Sequence, residues 1–477
     1  MELRNKVISG LGWSGGNRLL SQLFTWTITI IVMRLLSPAD YGLMAMAGFF
    51  INFLALLNEL GIGAALIQKK ELDKLFLQQI FGLLLISNFL FFILLFLTAP
   101  IIGNFFNEPK IIFIAQILSI QFLMMSLSTI PQSLLMRSMD FKKLSMVELT
   151  SNITGGVITL VLAVMGHGVW SLVWGNLSIN LVRMIGLNIA SRFICAPHFS
   201  IRGLRETIYF GGYVITSRVL WYIYTQADIF IIGKLLGKEL LGFYSVSVQL
   251  ASLPMEKTSG IINQVAFPAF SSIQQDIEKV STYFLKAVRI GSFFAFPILW
   301  GMSSIAPNLI TILLGDKWQI AVLPFQLISL VIPIRMISNM MSPMLMGLGR
   351  PDIHFLNVLI GSLLMPLSIL IGVNWGLLGV SLAWVTVFPI VFLLNTLRVV
   401  NVLKIKLIDV IKAIERPFLS VLIMYIVIFT INMLFGIDTK SIKSLALLII
   451  IGISLYVGMI MNLHRDGYYE VIDLIRK

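Results

Sequence analysis

Apolar stretches about 20 residues long recur along the whole chain, separated only by short polar gaps, and this spacing leaves few folds open. Each stretch is long enough to cross a hydrocarbon core as a helix, where every backbone N–H and C=O must be satisfied within the segment itself. No soluble domain of ordinary size fits between them. Composition agrees: 58% of the 477 residues are hydrophobic and 12% charged, with a mean hydropathy of +0.94. Soluble chains are roughly half apolar and a quarter charged. The chain reads as an all-α polytopic membrane protein.

Breaking the runs at charges, prolines and glycines predicts about fourteen transmembrane helices. The first six lie near 11–36, 39–67, 77–103, 111–135, 144–165 and 168–192. The next six lie near 207–236, 240–267, 284–314, 318–346, 352–373 and 376–399, and after a basic linker two more follow near 416–436 and 441–463. The first run follows Arg4 and Lys6 but has no small-residue cleavage site at its end, so it reads as a retained helix rather than a signal peptide.

The net charge of +13 is assigned to orientation rather than to nucleic acid, because basic residues gather in the cytoplasmic loops of such proteins. The heaviest basic loops are Lys69-Lys70-Lys74, Arg137-Lys142-Lys143, Arg192-Arg202-Arg205 and the stretch from Arg398 to Arg416. All fall on one side of an even-numbered bundle, which places both termini in the cytoplasm. The single cysteine, Cys195, excludes an internal disulfide framework, and the four histidines show no metal-ligand spacing, so no metal is expected.

The chain also repeats itself. Met33-Arg34-Leu35-Leu36-Ser37-Pro38-Ala39-Asp40-Tyr41-Gly42-Leu43 aligns without a gap on Gly233-Lys234-Leu235-Leu236-Gly237-Lys238-Glu239-Leu240-Leu241-Gly242-Phe243, an offset of about 200 residues that also sets Arg18 on Arg218. Ala99-Pro100 answers Ala306-Pro307, and Val169 to Trp174 resembles Val380 to Trp384. Six helices per copy preserve the topology, so the repeats are parallel. The expected division is an N-terminal six-helix lobe (1–200), a second six-helix lobe (201–400), and a basic linker with two further helices and a tail (401–477). Two such bundles facing each other form a V-shaped, bilobal transporter with its substrate cavity between them.

Polar residues within the spans sort by helical spacing. Ser14, Arg18, Ser21, Gln22, Thr25 and Thr29 share one face; Arg218, Trp221, Tyr222, Thr225 and Asp228 share another. Ser245, Gln249, Ser252, Glu256, Ser259 and Asn263 form a third stripe, Glu148, Ser151, Asn152, Gly155 and Thr159 a fourth, and Arg335, Asn339 and Ser342 a fifth. Taken singly, the small and hydroxyl residues read as interhelical packing and hydrogen bonds. A charge at the bilayer centre costs roughly 2.5 kcal/mol or more, so the arginines need another reason. Arg18, Gln22, Arg218, Trp221, Tyr222, Arg335 and Asn339 are therefore the candidate lining of a hydrated cationic cavity. Glu256, Asp228, Glu59 and Glu148 are the intramembrane carboxylates available to a coupling proton or sodium ion, with Glu256 the first choice; Asp228 also suits structural pairing with a cation.

Gly10-Leu11-Gly12-Trp13-Ser14-Gly15 matches a dinucleotide fingerprint but follows no strand. Gly233-Lys234 and Gly237-Lys238 lack the Ser or Thr of a phosphate loop. No motif of this chain binds ATP or suits an enzyme, and no cofactor is expected beyond a coupling ion.

Ile8-Ser9-Gly10-Leu11-Gly12-Trp13-Ser14, Leu36 to Gly42, Glu59 to Lys70, Asp228 to Gly237, Phe267-Pro268-Ala269-Phe270-Ser271-Ser272-Ile273-Gln274 and Leu314-Gly315-Asp316-Lys317-Trp318 resemble the Wzx-type polysaccharide flippases, notably the colanic-acid type. The resemblance runs over nearly the whole chain. It implies the multidrug/oligosaccharidyl-lipid/polysaccharide exporter superfamily, with two six-helix lobes, fourteen helices and alternating access, in a bacterial cytoplasmic membrane. The implied substrate is a polyprenyl-diphosphate-linked oligosaccharide for O-antigen, capsule or exopolysaccharide, with membrane lipids and the polymerase or export machinery as partners and no nucleic acid. A charged, hydroxylated head cannot cross hydrocarbon unaided, whereas its polyprenyl tail is already soluble there. An organic-cation antiporter of the same superfamily is the nearest alternative, and a membrane-embedded polymerase or ligase another; the first favours an acidic site, the second a large external loop. Reporter fusions at Gly436 and at Lys477 should lie on opposite sides of the membrane, and the same side for both would overturn the fourteen-helix topology.

Overall fold

The computed structural model describes residues 22, 24–58, 66, 73–200, 205–435 and 438–463; for 205–217, 255–265, 433, 435 and 463 it describes the backbone alone. Among these residues there is no strand. The helices are α1 (Phe24–Leu35), α2 (Pro38–Asn58), α3 (Lys74–Phe106), α4 (Lys110–Arg137), α5 (Phe141–Val164), α6 (Val169–Ser191), α7 (Arg205–Leu235) and α8 (Gly237–Ser272). They continue as α9 (Ile277–Ser304), α10 (Ala306–Leu314), α11 (Val322–Gly347), α12 (Pro351–Gly372), α13 (Gly376–Leu403), α14 (Leu407–Phe435) and α15 (Ile442–Leu463). With the nine-residue α10 set aside, fourteen remain among the described residues, consistent with the fourteen spans expected.

Local chemistry sets where these helices begin. Ser37-Pro38-Ala39-Asp40 is a capping box: the Asp40 N–H donates to Ser37 Oγ at 3.3 Å, and the Ser37 N–H donates to Asp40 Oδ2 at 3.0 Å. Pro38 opens α2, where its missing N–H costs nothing. The other Asp40 oxygen accepts from the Val169 N–H at 2.9 Å, tying the start of α2 to the start of α6. Asp276 caps α9 by accepting from the Lys279 N–H at 3.0 Å, and that bond, with the Lys279 ammonium at 3.1 Å, holds its carboxyl below the usual carboxylate range. The cap is thus fully formed at neutral pH and weakens as acid protonates it.

Two expectations are corrected. The span near 284–314 is two helices, broken at Ile305, where Pro307 occupies the first turn of α10. Its repeat partner Pro100 sits inside an unbroken 33-residue α3, so the same Ala-Pro pair ends a helix in one copy and rides within it in the other. The basic linker near 401–416 is mostly helix as well. α14 starts at Leu407, where Asp409 accepts from the Lys406 N–H at 2.9 Å, and it runs on through Pro417.

The chain forms two compact units. One comprises Met1–Tyr222 with Ile232–Gly242, the other Ile223–Ile231 with Phe243–Lys477. In the first, α3 packs on α4, α5 on α6, and α6 and α2 on α4. The α5–α6 pairing rests on small residues: a Cβ on Gly175 would lie 1.7 Å from Thr159 Oγ1, and one on Gly155 would lie 2.1 Å from Ile179 Cγ1. Thr159 in turn returns its hydroxyl to the Gly155 carbonyl at 2.8 Å. The stripe Glu148, Ser151, Gly155, Thr159 is thereby a packing face, with Arg183 of α6 reaching Glu148 at 3.4 Å. In the second unit α9 packs on α11 and α14, α13 on α11 and α12, and α15 on α14. Its core gathers Phe284, Val288 and Phe296 with Ile337, Met341, Met344, Val399, Val421 and Met424. Tyr456 of α15 donates to the Phe293 carbonyl at 2.7 Å.

Gly175→Leu should separate α5 from α6 and cost about 1–3 kcal/mol by overpacking. A purified variant that melts at the parent temperature would contradict this packing.

Candidate functional site

Asp228 lies two turns from the C-terminal end of α7 and is only 5% exposed. A carboxylate at that depth is tolerated only where partners replace water, and the second unit supplies them from three further helices. Tyr244 of α8 donates its hydroxyl to Asp228 Oδ2 at 2.6 Å, and the Ile229 N–H lies 2.8 Å from Oδ1. Trp384 of α13 donates its Nε1–H to the Tyr244 hydroxyl at 2.9 Å. Arg335 of α11 lies over the Trp384 ring, 4.4 Å from its centroid. A narrow crevice lined by Tyr244, Val248, Ile328, Val331, Arg335 and Trp384 opens beside them.

The chain of contacts from Asp228 through Tyr244 and Trp384 to Arg335 joins a carboxyl group to a guanidinium without a direct ion pair. Its chemistry is that of a shared polar network in low dielectric, in which each bond strengthens its neighbours and each unmatched group is costly. Such a network senses any change of charge at either end. A proton or a small cation at Asp228, or an oxyanion at Arg335, alters the same four side chains.

The structure places the sequence-derived candidates unevenly. Arg18, Glu59 and the side chain of Glu256 lie outside the described residues. Gln22 is half-buried at the start of the described chain, and Arg218 is half-buried on the part of α7 that belongs to the first unit. Trp221 is 48% exposed. Tyr222 is buried, with its hydroxyl on the Phe49 carbonyl at 2.5 Å and its ring between Phe49 and Phe53, so it packs α7 against α2. Arg335 belongs to the second unit, where Asn339, one turn on, is exposed. Glu148 is held by Arg183. Asp228 does have a structural pairing, but with a tyrosine hydroxyl and a backbone amide rather than directly with a cation.

Sequence reasoning missed Tyr244 and Trp384. One signal was present: at the repeat offset Asp228 and Tyr244 align with Ile28 and Met44, so the second copy is polar where the first is apolar.

The comparisons with known proteins agree with one another. Residues 31–323 match the family model described as polysaccharide biosynthesis protein. The chain is 27% identical over 400 residues to the lipopolysaccharide biosynthesis protein WzxC of Escherichia coli (strain K12), covering 83% of this chain and 80% of that one. It is 26% identical over 434 residues to the teichuronic acid biosynthesis protein TuaB of Bacillus subtilis (strain 168), covering 90% of each. Among solved structures, the lipid II flippase MurJ in an inward closed conformation superposes with a TM-score of 0.72 at 15% identity, over 95% of this chain and 99% of that one. That likeness shows that the chain shares the all-helical fold of that structure. With more than half its length matched by the family model, the chain belongs to the polysaccharide biosynthesis protein family.

Proposed function

We propose that the protein flips a polyprenyl-diphosphate-linked oligosaccharide across a bacterial cytoplasmic membrane by alternating access, with both termini in the cytoplasm, and delivers it to the polymerase or export machinery of a surface polysaccharide. The observation that carries this reading is the half-buried Arg335 held over Trp384 in the span of α11. A guanidinium presents a planar fork of donors that matches two phosphate oxygens, and burial strengthens such a contact. Membership in a polysaccharide biosynthesis family supplies the glycan, and the flippase fold supplies the motion. The relatives named for lipopolysaccharide and teichuronic acid support a role upstream of polymer export.

An organic-cation antiporter needs a carboxylate presented to its substrate. Here the Asp228 side chain is taken up by Tyr244 and the Ile229 N–H, and the charged group over Trp384 at the other end of that network, Arg335, is basic. Directional transport without ATP calls for ion linkage, and intramembrane carboxylates are its usual carriers. With Glu148 ion-paired, Asp228 joins Glu256 as the residue through which H⁺ or Na⁺ is proposed to act.

Arg335→Ala should lower flipping by about tenfold, the loss of one charge-assisted contact, with unchanged amounts of protein in the membrane. Arg335→Lys, which keeps the charge and loses the fork, should fall between. Full complementation of polysaccharide export by Arg335→Ala would overturn the assignment.

Coupling is read in vesicles under an imposed pH or sodium gradient. Asp228→Asn should abolish the response to one of the two gradients while gradient-free exchange persists. A variant that responds to both as the parent does removes Asp228 from the coupling path.

A further inference from the structure

The seam between α5 and α6 uses most of its polar stripe and leaves one member over. Arg183 reaches Glu148 at one end and Gly175 meets Thr159 further along, so these two points fix an antiparallel register. That register sets Asn152 of α5 level with Asn180 of α6, one turn from the ion pair, with Asn176 one turn further on. Asn180 Nδ2 donates to the Asn176 carbonyl at 3.0 Å and to Asn176 Oδ1 at 3.1 Å. Both bonds stay within α6. The N–H groups of the Asn176 amide, Asn180 Oδ1 and the whole Asn152 amide have no hydrogen-bond partner among the described residues.

All three asparagines are half-buried rather than enclosed, and they point away from lipid. On α5 the exposed apolar residues Met146, Val157, Val161 and Val164 mark the lipid face. At about 100° per residue, Asn152 lies about 140° around the helix from their centre. On α6 the face is marked by Trp174, Leu181, Ile185 and Ile189, with Asn180 about 135° and Asn176 about 175° away. Hydrocarbon leaves no amide unpartnered, so accessible amides on the side of a span turned from lipid face an aqueous interior. The row carries no net charge, being three neutral amides and the Glu148–Arg183 ion pair. It runs for two turns, roughly 10 Å along α6.

Such a row suits a ligand rich in hydroxyls and poor in charge. Each amide presents N–H donors beside a carbonyl acceptor, and neighbouring sugar hydroxyls both give and accept hydrogen bonds. An ionised phosphate only accepts, which would leave the amide oxygens unmatched, and a metal cation would leave the N–H groups so. We propose that Asn152, Asn176 and Asn180 form a sugar-binding row in the first unit, which takes the uncharged part of the oligosaccharide head. The proposal rests on the flippase reading above and assigns the sugars, where Arg335 was assigned the diphosphate. Bonds to the row replace those that the sugars give up on leaving water. The row also selects, because an oligosaccharide without matching hydroxyls leaves amides unpaired.

Two measurements test this. In purified Cys195→Ser protein, Asn180→Cys should react with a charged methanethiosulfonate at least about tenfold faster than Val157→Cys on the lipid face, because only a hydrated thiol ionises readily. Equal rates, or a faster thiol on the lipid face, overturn the hydrated row whatever the protein transports. In nanodiscs, binding is then compared for two lipids: the lipid-linked oligosaccharide that accumulates in cells lacking this protein, and polyprenyl diphosphate without sugars. Asn152→Ala and Asn180→Ala should each weaken the first by about three- to tenfold, the loss of a neutral hydrogen bond, and leave the second unchanged. The unchanged binding also shows that the variants are folded. Variants that bind both lipids as the parent does, or that lose both alike, overturn the sugar assignment. A parent that binds neither lipid overturns the flippase reading and the sugar assignment with it, while the labelling rates still decide whether the row is hydrated.

Discussion

Everything in this molecule follows from the absence of water around its backbone. Hydrocarbon satisfies no N–H or C=O, so the chain is helical across its spans, and polar side chains must find partners inside the protein. Most find them locally. On α4, Ser126, Ser128, Thr129 and Ser133 return their hydroxyls to carbonyls three or four residues back. Where local bonding is impossible the partner comes from the next helix, as when Asn88 of α3 donates to Asn58 of α2 at 2.9 Å and to its own Leu84 carbonyl at 2.8 Å. Asp228 and Arg335 stand at the two ends of a network drawn from four helices.

The two copies of the repeat have kept the same corners and lost the same interior. Gly42 and Gly242 make matching contacts. Elsewhere the copies diverge: Pro100 lies within a continuous helix, Pro307 follows a break. A duplicated bundle needs shared geometry only where its copies touch. Away from that contact each copy is free to specialise: Asp228 and Tyr244 stand where the first copy has Ile28 and Met44.

Hydropathy made the spans legible, since the length of an apolar run answers directly to bilayer thickness. The repeat was legible for the same reason that it survives, because Gly42 and Gly242 tolerate no side chain. Partners were not legible. Helical spacing tells which residues share a face, so it grouped Asp228 with Arg218 on α7; it cannot tell which helix that face meets. Tyr244 follows Asp228 by sixteen residues but on the next helix, and Trp384 stands far along the chain on α13. The aromatics chosen from periodicity fared unevenly for the same reason: Tyr222 has spent its hydroxyl on the Phe49 carbonyl, while Trp384, noticed only as a repeat match, carries the bond to Tyr244.

The repeat also supplies an internal control for what the polar network is for. Buried charges and their partners often contribute little net stability, and apolar residues of similar volume commonly replace them without loss. This chain has made that replacement itself. At the offset of the repeat, Ile28 stands where Asp228 does and Met44 where Tyr244 does; Ile28 packs with Val32, Leu36 and Ala163 in an apolar core. The same helix pair therefore folds with apolar residues at both positions. A carboxyl group and a phenol in the second copy, against the cost of taking them out of water, are then not required by the packing of this helix pair. What they add is one end of a connected network, where a ligand on one side is felt by the group on the other.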